Sequence, residues 1–257
     1  MTDWNPEKYL DYNTERLLPS RDLVSRIRKA NPGVIADIGC GPGNSTRVLA
    51  ERWPSAEIIG VDNSPAMIEK ASRDFSGISW VIADGAGYHP EKGADILFSN
   101  AAIQWMPDHT ALMKHFHRIL NPEGILAVQI PLFHKMPLSR AIEKAADYPK
   151  WKKRFENLEV SLELHDYGYY YDLLASVFSS VEIWTTEYMH ILNSHKDILN
   201  MMHSTGLRPY LNHLGDESLA EEFENDVLSE IKNSYPPQKD GKVILPFMRL
   251  FFTAYKD

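Results

Sequence analysis

Val34-Ile35-Ala36-Asp37-Ile38-Gly39-Cys40-Gly41-Pro42-Gly43-Asn44 is the stretch from which the rest of the chain can be read. Val34 to Ile38 has the apolar character of a buried strand. Gly39, Gly41 and Gly43 then make a tight turn, and Asn44 to Trp53 reads as a helix with Val48, Leu49 and Trp53 on one side. Such a turn brings bare backbone close to a ligand, and the helix behind it presents unpaired N–H groups at a positive dipole end. Two phosphate-binding patterns do not fit. The dinucleotide fingerprint needs Gly or Ala where Asn44 stands, and the P-loop needs a lysine that this turn lacks. A smaller ligand with an amino-acid end fits better.

Outward from the turn, strands and helices alternate. Ile58 to Asp62, Trp80 to Ala83, Ile96 to Ser99 and Ile125 to Ile130 read as four further strands. Between them, Ser64 and Pro65 cap a helix with Met67, Ile68 and Ala71 inward, and Asp108 to Leu120 forms another. Asn121-Pro122-Glu123-Gly124 is a turn. This order predicts a doubly wound α/β sheet covered on both faces. In such folds ligands bind beyond the carboxyl ends of the strands. Asp37, Asp62 and Asp84 stand at or near three successive strand ends. Asp62 is placed to take ribose hydroxyls and Asp84 an exocyclic amine, although each can equally serve as a cap or turn residue.

Before the turn, the first 30 residues read as helix, split in two by Pro19 and Ser20. After residue 131 the pattern changes. Residues 132–168 and 193–240 read as helical insertions capping the sheet, 169–192 and 241–257 as further sheet elements, with Val181 to Tyr188 and Val243 to Tyr255 as strands. No clean linker divides the chain, so 1–257 is expected to form one domain whose core is 31–131.

The composition narrows the class. The chain has 257 residues, 44% of them hydrophobic and 24% charged, which excludes disorder and collagen-like repeats. One cysteine, Cys40, excludes an internal disulfide and a multi-cysteine metal site. A net charge of −8 disfavours non-specific nucleic-acid binding, which rests on cationic phosphate contacts. Neither a signal-like N-terminus nor a membrane-length apolar run is present, so a cytoplasmic protein with no membrane partner is expected. His115 and His117 stand two apart on a helix and do not share a face, and with no acid cluster beside them no metal is expected.

The glycine turn, Gly60-Val61-Asp62-Asn63-Ser64, Ala83-Asp84 and Asn121-Pro122-Glu123-Gly124 together resemble the motif series of class I S-adenosylmethionine-dependent methyltransferases. The resemblance implies a Rossmann-like, mostly parallel seven-stranded sheet with its last strand antiparallel. It implies S-adenosyl-L-methionine as cofactor, with methionine at the glycine turn, ribose on Asp62 and adenine near Asp84. Cofactor contacts would come from Asp37, Gly39, Gly41, Gly43, Asp62, Asn63, Met67, Asp84, Gly85, Asn100 and Trp105. Further stretches are similar to a branch of the family that esterifies a small polycarboxylate. These are Asp3 to Pro6 with Tyr9, Ser99 to His109, Thr205 to Pro209 and Leu245 to Phe251.

That chemistry needs cations for the carboxylates and no general base, because a carboxylate is ionised at neutral pH. Arg208 and Arg249 are the candidate clamps, since a guanidinium matches a carboxylate with two parallel donors. Gln104, His203 and Tyr9 are further substrate candidates, and Trp4, Tyr12 and Arg16 could close over the cofactor. Cys40 reads as a packed residue, not a nucleophile. Three alternatives stay open: another carboxylate such as a carrier-bound malonyl thioester, a neutral nucleophile served by a nearby base, and a non-catalytic cofactor-binding module.

Overall fold

The computed structural model describes residues 13–160, 162–203 and 205–257, with side chains from Leu17 onward. The elements before the cap are α1 (Asn13–Arg26), β1 (Val34–Ile38), α2 (Asn44–Arg52), β2 (Glu57–Asp62), α3 (Pro65–Asp74), β3 (Ser79–Ile82), β4 (Ala94–Asn100), α4 (His109–Ile119) and β5 (Leu120–Pro131). They are followed by α5 (Pro137–Ala146), α6 (Pro149–Lys152), α7 (Tyr167–Ala175), β6 (Ser180–Leu192), α8 (His195–His203), α9 (Arg208–Leu214), α10 (Glu217–Ser234) and β7 (Val243–Tyr255).

The seven strands form one sheet in the order β3-β2-β1-β4-β5-β7-β6. β1 to β5 are parallel, and β7 runs antiparallel between β5 and β6. The expected seven-stranded, mostly parallel architecture is therefore present. Alternation along the strands sorts the core. Ala36, Ile38, Val61, Leu97, Leu126 and Val128 pack with Leu112, Phe116 and Tyr170 from α4 and α7. Ile35, Ile96, Phe98, Ala127 and Phe251 face the other way, onto Leu23 and Val24 of α1, Ile27 just beyond its end, and Val48 and Leu49 of α2. A third apolar cluster lies in the cap, where α5, α8 and α10 enclose Trp151 and the start of β7.

The boundaries hold where local chemistry is strong. Ser64 caps α3 by accepting from the Met67 N–H, Pro65 occupies its first position, and Met67, Ile68 and Ala71 are its buried residues. Two expectations need correction. α1 is continuous through Pro19 rather than split there. Proline keeps a helical φ and forfeits one backbone bond, a defect that packing of the helix against the sheet outweighs. The Asn121–Gly124 turn does not stand apart from the fifth strand: Leu120 already pairs with Ala94, and the register shifts before Ile125 meets Ile96. Among the described residues no helix is long and apolar enough to cross a membrane.

Candidate active site

The glycine turn sits at the carboxyl end of β1 with all three glycines at positive φ: 73° at Gly39, 54° at Gly41 and 89° at Gly43. The three serve different ends. A β-carbon on Gly39 would lie 2.2 Å from Cβ of Ala102, and one on Gly43 would lie 2.7 Å from the Trp80 ring. A β-carbon on Gly41 would meet nothing within 4 Å. Packing thus demands glycine at both ends of the turn, while its middle faces open space that a ligand can occupy. The Gly39 and Cys40 N–H groups donate to the Val61 carbonyl at 2.8 and 3.0 Å, which ties the turn to β2.

Asp37 lies buried beneath the turn. Its Oδ2 accepts from the Ser45 and Thr46 hydroxyls at 2.8 and 2.7 Å, while Oδ1 is buried with no hydrogen-bond partner among the described residues. Burial pushes its carboxyl up to about 6; the two hydroxyl bonds oppose this and the nearby Asp62 charge adds to it. A cationic group above the turn would meet this uncompensated acid. Burial, with Asp37 and Asp62 nearby, likewise pushes the Cys40 thiol well above its ordinary value, which suits a packing residue.

Asp62 ends β2 half-buried. Its Oδ2 accepts from the Gly41 N–H and its Oδ1 from the Ser64 N–H, both at 2.9 Å. A carboxylate at the end of a strand is the kind of acceptor that ligand hydroxyls use. Asp84 is exposed and accepts from the Ala86 N–H at 3.1 Å. Gly85 is buried, and a β-carbon there would lie 2.6 Å from Ile38 and 2.8 Å from Met106. Asn63 is exposed, whereas Met67 is 3% exposed in the core.

Beyond the ends of β4 and β5 lies a cavity. Asn100, Ala101, Gln104 and Trp105 form one side, Pro131 and Phe133 follow β5, and Leu162 and Leu164 cross on a strap. His190 of β6, Met201 and Met202 of α8, Thr205, Gly206, and Phe247 and Arg249 of β7 complete it. Ala101 sits at φ 55°, a left-handed position that non-glycine residues adopt rarely. Gln104 donates to the Ala101 carbonyl at 2.8 Å, which leaves its Oε1, like Oδ1 of Asn100, buried without a hydrogen-bond partner among the described residues. Arg249 is 7% exposed, donates to Oε1 of Gln129 at 3.1 Å and lies 4.5 Å over the Phe247 ring.

Of the substrate candidates, the fold brings Gln104 and Arg249 to this cavity and not Arg208 or His203. Arg208 begins α9, half-buried, and His203 faces Glu224 at 3.3 Å. Tyr9, Trp4 and Tyr12 lie outside the described residues, as does the side chain of Arg16. His190 is the main residue that the sequence reading passes over. Its signal was available: the alternation of Val181 to Tyr188 continues two residues further, and carrying it on places His190 in register with Tyr188.

One metal-like trio does form, His109, Glu163 and His165, despite the expectation that no such acid cluster exists. It escapes a sequence reading because His109 stands 54 positions before Glu163 in the chain. The ring of His109 is already committed: Nε2 donates to the Ile103 carbonyl and Nδ1 accepts from the Tyr170 hydroxyl, both at 2.8 Å. No lone pair is left for an ion. The trio instead braces the strap. Glu163 accepts from the His109 N–H at 2.9 Å and pairs with His165 at 3.0 Å, while its own N–H donates to the Gln104 carbonyl at 2.9 Å.

A family described as "Methyltransferase domain" matches residues 35–124, which hold the glycine turn and all three strand-end acids. The trans-aconitate 2-methyltransferase of Methylobacterium nodulans is 40% identical over 255 residues, 99% of this chain and 98% of that protein. The enzyme of the same name from Escherichia coli O157:H7 is 40% identical over 256 residues, again 99% and 98%. The chain belongs to the trans-aconitate 2-methyltransferase family. It is an S-adenosylmethionine-dependent methyltransferase, and S-adenosylmethionine is its cofactor. Solved structures share the fold at low identity. Phosphoethanolamine N-methyltransferase 2 of Haemonchus contortus has a TM-score of 0.57 at 17% identity, over 93% of this chain and 52% of that one. The YcgJ protein of Bacillus subtilis has a TM-score of 0.58 at 14% identity, over 93% and 98%.

Proposed function

We propose that this member of the trans-aconitate 2-methyltransferase family methylates a carboxylate of trans-aconitate, giving the monomethyl ester and S-adenosylhomocysteine. The observation that carries the reading is Arg249. It is a guanidinium buried in the wall of a mostly apolar cavity, in a protein of net charge −8. A fixed planar donor there suits a carboxylate, which it can meet with two parallel N–H groups.

When bound, S-adenosylmethionine supplies a methyl group on a sulfonium centre, already activated for displacement by a carboxylate oxygen. We assign its holding to the glycine turn, with Gly41 as the open position, Asp62 for the ribose, Asp84 and Gly85 beside the adenine, and Asn63 and Met67 flanking. Asp37 offers its charge from below, and Asn100 and Trp105 lie between cofactor and substrate. Arg249 holds a carboxylate that is not methylated, Gln104 and His190 orient the rest, and Tyr9 is assigned to substrate binding from the sequence. The apolar wall of Met201, Met202, Leu162 and Leu164 excludes water. A carboxylate has a solution pKa of about 4, so it arrives ionised and the protein need only align it. The whole chain, 1–257, acts as one domain with 132–168 and 193–240 as its cap.

Turnover over a panel of di- and tricarboxylates, read as base-labile methyl ester, tests the substrate. Arg249→Leu should leave cofactor affinity unchanged and lower kcat/KM for trans-aconitate about thirtyfold, roughly 2 kcal/mol. Arg208→Leu, outside the cavity wall, should cost less. Full activity of Arg249→Leu would remove the polyacid reading. A second reading has one observation in its favour: among the described residues Arg249 is the only arginine in the cavity wall. A single clamp suits a substrate with one carboxylate to hold, such as a carrier-borne malonyl thioester, and faster turnover of that thioester than of the free acid would establish it.

A further inference from the structure

Gln129 and Arg249 meet on the sheet face that packs against α1 and α2. Along β5 this face shows Ile125, Ala127 and then Gln129; along β7 it shows Phe251 and then Arg249. Both columns turn from apolar to polar as they approach the cavity. The register sets Gln129 opposite Phe251 and Arg249 opposite Pro131, so the two side chains are diagonal neighbours across the ladder. Nη1 of Arg249 donates to Oε1 of Gln129 at 3.1 Å.

A guanidinium can only donate, so the orientation of the amide is dictated: Oε1 faces the arginine and Nε2 points away from it. Gln129 is 0% exposed, and its Nε2 finds no hydrogen-bond partner among the described residues. A buried donor without an acceptor is a standing loss of stability that an aliphatic side chain would not incur. Such losses persist where function holds them in place. A carboxylate at this position would grip the guanidinium at least as well, yet it would add a negative charge beside it. The amide grips and adds none.

We infer that Gln129 is a positioning and specificity residue: it aims Arg249 at the cavity with a neutral acceptor, so that the guanidinium's charge serves a carboxylate of the substrate. The inference rests on the reading of Arg249 as the carboxylate clamp. It makes two separable demands at one position, an acceptor for orientation and neutrality for affinity.

Gln129→Leu and Gln129→Glu in the full-length enzyme test them, with steady-state kinetics on trans-aconitate, calorimetric titration of S-adenosylmethionine and thermal denaturation. Gln129→Leu should raise KM roughly tenfold while kcat stays within about twofold. Its cofactor affinity should be unchanged and its Tm equal to or above that of the parent. Gln129→Glu, nearly isosteric, should raise KM at least as much. Placed on Arg249→Leu, the Gln129→Leu change should have no further effect. An unchanged KM in Gln129→Leu, a normal KM in Gln129→Glu, or an additive loss in the double variant would each overturn the inference. If Gln129→Leu does not fold, Gln129→Glu alone decides the question of charge. An unchanged KM in Arg249→Leu itself would instead overturn the clamp reading, which keeps the two failures apart.

Discussion

The half of the molecule that carries β1 to β5 and the half that carries the cap with β6 and β7 build their sites in different ways. In the first, the binding surface is made from residues near one another in sequence. Gly39, Gly41 and Gly43 share one turn, and Asp37 is bonded to Ser45 and Thr46 a few positions on. In the second, the cavity wall is assembled from Phe133, Leu162, His190, Met201 and Arg249, each from a different segment, and set against Gln104 of the first. The lesson is one of division. On the proposed assignment, local geometry suffices to cradle a cofactor common to many enzymes, whereas a pocket for one substrate is put together from distant segments that can vary separately. The two should therefore fail independently when perturbed.

The sharpest test of that independence lies in the glycine turn. Gly41→Ala adds a methyl group where nothing lies within 4 Å, so folding should suffer only the left-handed strain of roughly 1–2 kcal/mol. Cofactor affinity should nevertheless fall on the order of a hundredfold or more, because the methyl projects into the open space of the cradle. Gly39→Ala, which collides with Ala102 at 2.2 Å, should fail in folding as well. Calorimetric titration with thermal denaturation separates these outcomes. Intact binding by Gly41→Ala would show that the open space is not the cofactor's.

Next in size is an effect of pH confined to the first half. Asp37 is pushed up to about 6 by burial, above its unfolded value. The folded state therefore holds the proton more tightly than the unfolded state, and stability falls as pH rises from about 4 to 6. Above that window the ionised, buried acid costs the ligand-free protein on the order of 2–3 kcal/mol. Asp37→Asn should then unfold at a higher temperature than the parent at pH 8, with the margin disappearing at pH 4. A margin independent of pH would locate the gain elsewhere. Substrate KM should not change at either pH.

The smallest effect belongs to the second half. Burial acts to raise the Glu163 carboxyl, but the His109 N–H and His165 outweigh it and hold it below its ordinary value. Glu163→Gln keeps an acceptor and removes the charge, so the strap bearing Leu162 and Leu164 should loosen without detaching. A severalfold loss of kcat/KM for the acid, roughly 1 kcal/mol, is expected with cofactor affinity unchanged. An equal loss of cofactor affinity would break the division between the halves.

What could be read from the chain follows the same division. The glycine spacing, the capping pair Ser64-Pro65 and the runs of β-branched and aliphatic residues act over a few positions, so sequence alone determined the doubly wound sheet and the placement of Asp37, Asp62 and Asp84 at its edge. It also marked Arg249 as a charge among apolar neighbours, and its 7% exposure agrees. Tertiary structure alone decided which candidates meet. His203 was turned to Glu224, Arg208 was left out of the cavity wall, and His190 was brought into it. Only the fold gathers the trio of His109, Glu163 and His165, and only the β5–β7 register puts Gln129 beside Arg249. The physical reason is the range of the interactions. Turn and cap preferences are written in adjacent residues, whereas a cavity wall depends on strand register and helix packing, which emerge only when residues more than a hundred positions apart, such as Gln129 and Arg249, are held in contact.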